Sequence, residues 1–184
     1  MPKIKMPKIK MPKIKMPRIT SRKPMFILFL CAGNTCRSPM AAAITKHQLG
    51  EGYICESAGV FKNLEPNVTP AAIALLEKLQ CGTIFDSKTR EVSRELIEKA
   101  DLIFCVNNKS FGQMKKEFPE YEGKFVRYAP DLEGVPDPYD LEHFPAELQK
   151  KYEKRSPAAY EFVIRQMLEI YTPQAIQTIK NIES

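Results

Sequence analysis

The sequence predicts an α/β fold: a four-stranded parallel sheet with helices on both faces and a phosphate-binding loop near the N-terminal end. Two observations carry that expectation. Short apolar runs alternate with stretches of helical periodicity, the pattern of a parallel sheet wrapped by helices. A loop that begins with a thiol, Cys31-Ala32-Gly33-Asn34-Thr35-Cys36-Arg37-Ser38-Pro39, lies between the first apolar run and the first helical stretch.

Phe26 to Leu30 reads as a buried first strand. Pro39 suits an early helical position, and that helix is expected to reach Leu49 before Gly50 and Gly52 stop it. Ile54 to Val60 supplies a second strand. Thr69-Pro70 opens a helix with Ala72, Ile73, Leu75, Leu76 and Leu79 on one face. Ser93 caps a short helix through Ala100, and Leu102 to Val106 forms a third strand buried on both faces. A charged helix follows from Ser110 to Phe118, then a fourth strand, Lys124 to Tyr128, exposed along one edge. Residues from Pro145 to Ile170 read as mostly helical and divided by Pro157. Ala159, Phe162, Val163, Gln166, Met167 and Ile170 are expected on the apolar side of the last helix. The folded domain is expected over residues 25–172, with 173–184 as a tail or frayed helix.

Right-handed crossovers place the carboxyl ends of parallel strands along one rim. Cys31 falls on that rim, and so does the loop Val135-Pro136-Asp137-Pro138-Tyr139 after the fourth strand. Distance in sequence is therefore no obstacle to their meeting.

The net charge of +6 over 184 residues is unevenly spread. Residues 1–24 hold nine Lys or Arg and no acid, leaving 19 basic against 22 acidic residues in 25–184. The folded part is mildly acidic, which does not support a nucleic-acid role. The unit Met-Pro-Lys-Ile-Lys occurs three times and returns as Met16-Pro17-Arg18-Ile19-Thr20. Proline every fifth residue excludes a regular helix, so 1–24 is expected as a disordered basic tail able to contact acidic surfaces. No stretch is long and apolar enough to span a membrane, and an odd count of five cysteines suits a reducing, cytoplasmic setting. His47 and His143 form no metal-ligand cluster, so neither metal nor cofactor is implied. Cys55, Cys81 and Cys105 are expected as small core or near-core residues.

The loop chemistry points to cysteine attack on a phosphate monoester. Loop amides, a helix N-terminus and Arg37 can cradle the anion and favour a thiolate at Cys31, with Ser38 as a hydroxyl donor to sulfur. Gly33 and Asn34 are residue types that tolerate left-handed backbone angles. Arg37 can grip two phosphoryl oxygens with a planar fork, geometry that lysine lacks. Asp137, between two prolines, is the candidate general acid and base. Tyr139 is a candidate substrate-rim aromatic.

Cys31 to Pro39 resembles the signature of the low-molecular-weight protein-tyrosine-phosphatases, and Asp137-Pro138-Tyr139 resembles their acid loop. Ser57-Ala58-Gly59, Ala100 to Ile103 and Phe118-Pro119 resemble weaker blocks, so the similarity covers about 25–140. The resemblance implies a four-stranded parallel sheet and hydrolysis through phosphocysteine. It implies Cys31 as nucleophile, Arg37 as phosphate ligand, Asp137 as acid, Asn34 as loop-shaping residue and Ser38 beside the sulfur. Cys36 matches a second loop cysteine that, in some members, forms a protective disulfide with the nucleophile. Ala42 stands where the family commonly has glutamate, and Lys88 to Ser93 lacks a histidine found in many relatives. Residues 141–156 look like extra length after the acid loop, open to reading as a flexible cover or a peptide-docking surface, with a solvated loop the leading expectation.

A phosphotyrosine-protein substrate is the leading expectation. Protein-arginine phosphatase is the alternative, because Thr35 and Ser57 to Phe61 resemble that branch. Arsenate reduction lacks a third relay thiol late in the chain. A non-catalytic phosphopeptide-binding module is opposed by the presence of Cys31, Arg37 and Asp137 together.

Overall fold

The computed structural model describes residues 23–62, 65–81, 87–129 and 134–184. Most of the basic tail thus lies outside the described residues. Four parallel strands run in the order β2-β1-β3-β4: β1 Met25–Cys31, β2 Tyr53–Gly59, β3 Leu102–Cys105 and β4 Phe125–Arg127. The central strand is apolar on both faces, as a strand covered on both sides must be. Ile27 and Phe29 face one cluster, with Met40 and Ile44 of helix α1 (Arg37–Leu49) and Val163 of helix α6 (Pro157–Gln166). Phe26, Leu28 and Leu30 face the other, with Ile97 of α3 (Arg94–Lys99) and Met114 of α4 (Asn108–Glu117). Helix α2 (Pro70–Lys78) joins the first cluster through Ala72 and Leu76.

Strand ends form the working rim. Cys31 pairs with Gly59 at the end of β1–β2, and Leu30 pairs with Cys105 at the end of β1–β3. β4 is an edge strand, as its half-exposed pattern predicts. Tyr128, fully buried just beyond it, packs edge-on against Phe29 and Phe104 and shares a 2.6 Å hydrogen bond with Thr172 Oγ1.

Expectations about the C-terminal half are refined. Residues 141–156 are mostly exposed, as expected of a solvated segment, but they carry local structure. They form a 3₁₀ turn, Leu141–His143, and a short helix α5, Ala146–Gln149. Phe144 is buried among Tyr152 and Phe162, with ring centroids 6.1 and 4.9 Å away. Gln149 Nε2 donates to the Phe144 carbonyl at 2.8 Å. The apolar register of α6 also changes: Met167–Tyr171 is a π-helical segment. Its wider turn shifts every later side chain around the axis, which buries Leu168 and Tyr171 and leaves Ile170 39% exposed. Beyond it, the expected frayed end is a 12-residue helix, α7 (Thr172–Glu183). Ala175, Ile176 and Ile179 are buried against the core, and Glu183 accepts a 2.7 Å hydrogen bond from Tyr53 on β2.

Candidate active site

Cys31 ends β1, and the chain turns through residues 32–36 into α1. The turn is held from outside. Val60, Phe61 and Thr69 donate backbone N–H groups to the carbonyls of Cys31, Ala32 and Thr35 at 2.9, 3.0 and 2.8 Å, and Met40 donates to that of Cys36 at 3.1 Å. All peptides among the described residues are trans. Each carbonyl bound outward therefore turns the next N–H the opposite way, at Ala32, Gly33, Cys36 and Arg37. Helix α1 has no side-chain cap and no acid in its first turn, so its terminal donors and positive dipole end are left for an anion.

Asn34 takes the left-handed conformation, φ 55°. Gly33 does not, and a Cβ there would meet only the Thr35 side chain at ordinary contact distance. Of the two residues that tolerate left-handed angles, the loop uses asparagine alone for one. Asn34 is 1% exposed and acts as a hub. Its Nδ2 donates to Ser38 Oγ at 3.1 Å and Ser57 Oγ at 2.8 Å, and its Oδ1 accepts from Arg90 N at 3.0 Å. Its backbone N–H points to Cys31 Sγ at 3.2 Å. Ser38 Oγ donates to the same sulfur at 3.0 Å, as the sequence leads one to expect. Two donors thus converge on a sulfur that must serve as an acceptor.

Sequence reasoning missed the role of Arg90, for a physical reason. It is the Arg90 backbone amide that serves Asn34, and an amide leaves no residue-type signal. Its side chain is engaged elsewhere, with Nε on the Ser57 carbonyl at 2.7 Å and an ion pair to Glu56 at 2.5 Å.

Arg37 and Asp137 meet in space. Their side chains form an ion pair, 8% and 23% exposed respectively, and Arg37 Nη1 lies 3.5 Å from the Val135 carbonyl. The acid loop is moored by Val135 N to Val106 O at 2.7 Å and closed by Asp140 N to Asp137 O at 2.8 Å. Asp137 Oδ1 also accepts from Tyr139 N at 3.1 Å.

These groups line one cavity of about 300 Å³, walled by Cys31, Ala32, Gly33, Thr35, Cys36 and Arg37 of the loop and by Phe61, Lys62, Glu65, Asp137 and Tyr139. Every loop position expected to touch the phosphate is on or beside that wall, except that Asn34 and Ser38 stand behind it as supports. Cys36 is 3% exposed, and burial pushes its thiol well above the ordinary range, against the pull of Arg37. Burial likewise raises Cys55 and Cys105 to about 12 and Cys81 to about 11. A larger cleft of about 720 Å³ adjoins the cavity across Arg37 and Asp137. Asn108 and Lys109 line it together with Asp140 and with Glu142 and Phe144 of the added segment. Among the described residues, no helix is long and apolar enough to cross a membrane.

Known proteins similar to this chain include phosphatases of two substrate classes and arsenate reductases. The chain is 36% identical over 104 residues to a protein-arginine-phosphatase of Bacillus subtilis, covering 54% of this chain and 67% of that one. Its structure is similar to a YwlE arginine phosphatase carrying a phosphorylated active site serine, at TM-score 0.65 and 26% identity over 85% of this chain and 97% of that one. It is equally similar to a protein tyrosine phosphatase of Entamoeba histolytica, at TM-score 0.67 and 27% identity over 87% and 99%. The family model described as low molecular weight phosphotyrosine protein phosphatase matches residues 26–169, and this chain, a cysteine-based phosphatase acting through phosphocysteine, belongs to that family.

Proposed function

We propose that this phosphatase removes the phosphoryl group from phosphoarginine in proteins. Thr35 on the cavity wall is the observation that carries the reading. A threonine there is smaller and more polar than the aliphatic residue found in many tyrosine-specific members. It leaves room for a guanidine nitrogen beside the phosphorus. The protein-arginine-phosphatases of Bacillus subtilis and Geobacillus stearothermophilus, 36% and 35% identical, support the same choice over the phosphotyrosine expected first. Tyr139 on the same wall keeps phosphotyrosine as the second reading.

The chemistry follows from the cavity. The Cys31 thiolate attacks phosphorus in line, and a P–S bond forms as the P–N bond breaks. Asp137 gives its proton to the departing guanidine nitrogen. The equatorial oxygens are held by Arg37 and the inward loop amides, where charge gathers in the transition state. Arg37 is paired with Asp137 in this structure, so an arriving phosphoryl group competes with that carboxylate for the guanidinium. Asp137 then takes a proton from water as its oxygen joins phosphorus. The P–S bond breaks, and inorganic phosphate and thiolate are released. Asn34 and Ser38 hold the loop and the sulfur in register for both steps.

The test is kcat/KM for phosphoarginine and phosphotyrosine peptides in the parent and in Thr35→Ile. We expect the parent to favour phosphoarginine and the substitution to invert the ratio. A parent that favours phosphotyrosine returns the assignment to that substrate.

A further inference from the structure

The acid loop has a third mooring, and it comes from the added segment. Arg155 N donates to the Pro138 carbonyl at 2.7 Å, and the Arg155 guanidinium lies 4.4 Å from the centroid of the Tyr139 ring. The same ring meets Tyr160 of α6 at 6.4 Å and 67°. Tyr139 is therefore gripped between a cation and a buried aromatic. Its own amide is the donor to Asp137 Oδ1. A short chain of contacts thus runs from Arg155 through Tyr139 to the carboxylate that must deliver a proton.

Arg155 stands at φ 61°, a left-handed angle that residues other than glycine rarely adopt. Both neighbouring stretches over-determine it. On one side, Phe144 and Tyr152 anchor the segment against Phe162. On the other, Ser156 caps α6 by accepting from Ala159 N at 3.2 Å. A glycine would satisfy the backbone at this point with less strain. The arginine side chain is what glycine cannot supply, and its planar cation is the group that stacks on an aromatic face.

We propose that residues 141–156 form a strap over the acid loop and that Arg155 is a positioning residue for Asp137. The inference rests on Asp137 acting as proton donor in the reaction proposed above. Arg155 itself does not touch the reacting atoms. It restricts the orientations of Tyr139, and through them the approach of the Asp137 carboxyl to the leaving atom.

The experiment uses the full chain and two variants, Arg155→Gly and Arg155→Lys. Arg155→Gly keeps the backbone donor to Pro138 and relieves the left-handed angle, so the fold is retained. kcat/KM is measured for aryl phosphates whose leaving groups range from acidic, which need little proton donation, to basic, which need much. Inhibition by inorganic phosphate reports the binding loop separately. Arg155→Gly is expected to lose about two- to fivefold on basic leaving groups, the size of one exposed cation–aromatic contact. Acidic leaving groups and phosphate inhibition should be unchanged, and Arg155→Lys should fall between. An equal loss on all leaving groups, or no loss on any, overturns the strap while leaving the phosphatase reading intact. A parent that hydrolyses neither the most acidic aryl phosphate nor a phosphoarginine peptide overturns both.

Discussion

Asn34 joins the thiol loop to β2 and to the segment at Arg90 through one amide side chain. Replacing it with alanine leaves Ser57 and the Arg90 amide without their partner and keeps a left-handed angle that alanine tolerates poorly. Asn34→Ala should cost about 1–3 kcal/mol of stability by urea denaturation and lower kcat, because Ser38 loses the contact that aims it at the sulfur. Cys36 makes a different prediction. Burial holds its thiol protonated, so it is a poor first target for peroxide but a close neighbour for an oxidised Cys31. Mild peroxide should inactivate reversibly with a two-dalton mass loss, and Cys36→Ser should inactivate without thiol rescue. Sulfinic acid as the sole product in the parent would remove that role. The other thiols are shielded in the same way. With Cys55 and Cys105 near 12 and Cys81 near 11, brief alkylation of native protein at neutral pH should leave all three unmodified in a peptide map.

At the scale of elements, α7 is the clearest departure from the sequence pattern. Its polar exposed face and position at the chain end suggest fraying. Ile179, however, is fully buried and sits one side of a helix that packs on α1. Ile179→Ala should cost about 2–5 kcal/mol, read as a lower urea midpoint with an unchanged slope. Activity at low denaturant should survive, since α7 lies far along the chain from the loop residues and supports α1 from behind. A surface substitution on the same helix, Gln177→Ala, should be close to neutral by the same measurement.

For the whole molecule, charge and fold are separable. The core described here starts with β1 at Met25, while the cations that make the chain basic lie before it. A variant lacking residues 1–22 has 20 basic against 22 acidic residues and should bind anion exchangers that the parent does not. Its thermal midpoint and its kcat/KM on an aryl phosphate should match the parent's. A lowered midpoint would show that the repeats pack on the domain.

The sequence by itself determined the alternation of strands and helices and the thiol loop at the end of β1, and it singled out Cys31, Arg37 and Asp137 as candidates. Those features are local: a strand's apolar run, a cap, a nonamer and a proline-bracketed aspartate each declare themselves within a few residues. Tertiary structure alone decided the pairing of Arg37 with Asp137, the service of the Arg90 amide to Asn34 and the return of Arg155 to Pro138. It also decided the burial of α7 and the order around the π-helical Met167–Tyr171. Each of these joins groups far apart in the chain, or uses backbone atoms common to every residue. Residue type carries no mark of a partner's position, and only packing fixes which distant groups come within hydrogen-bonding reach.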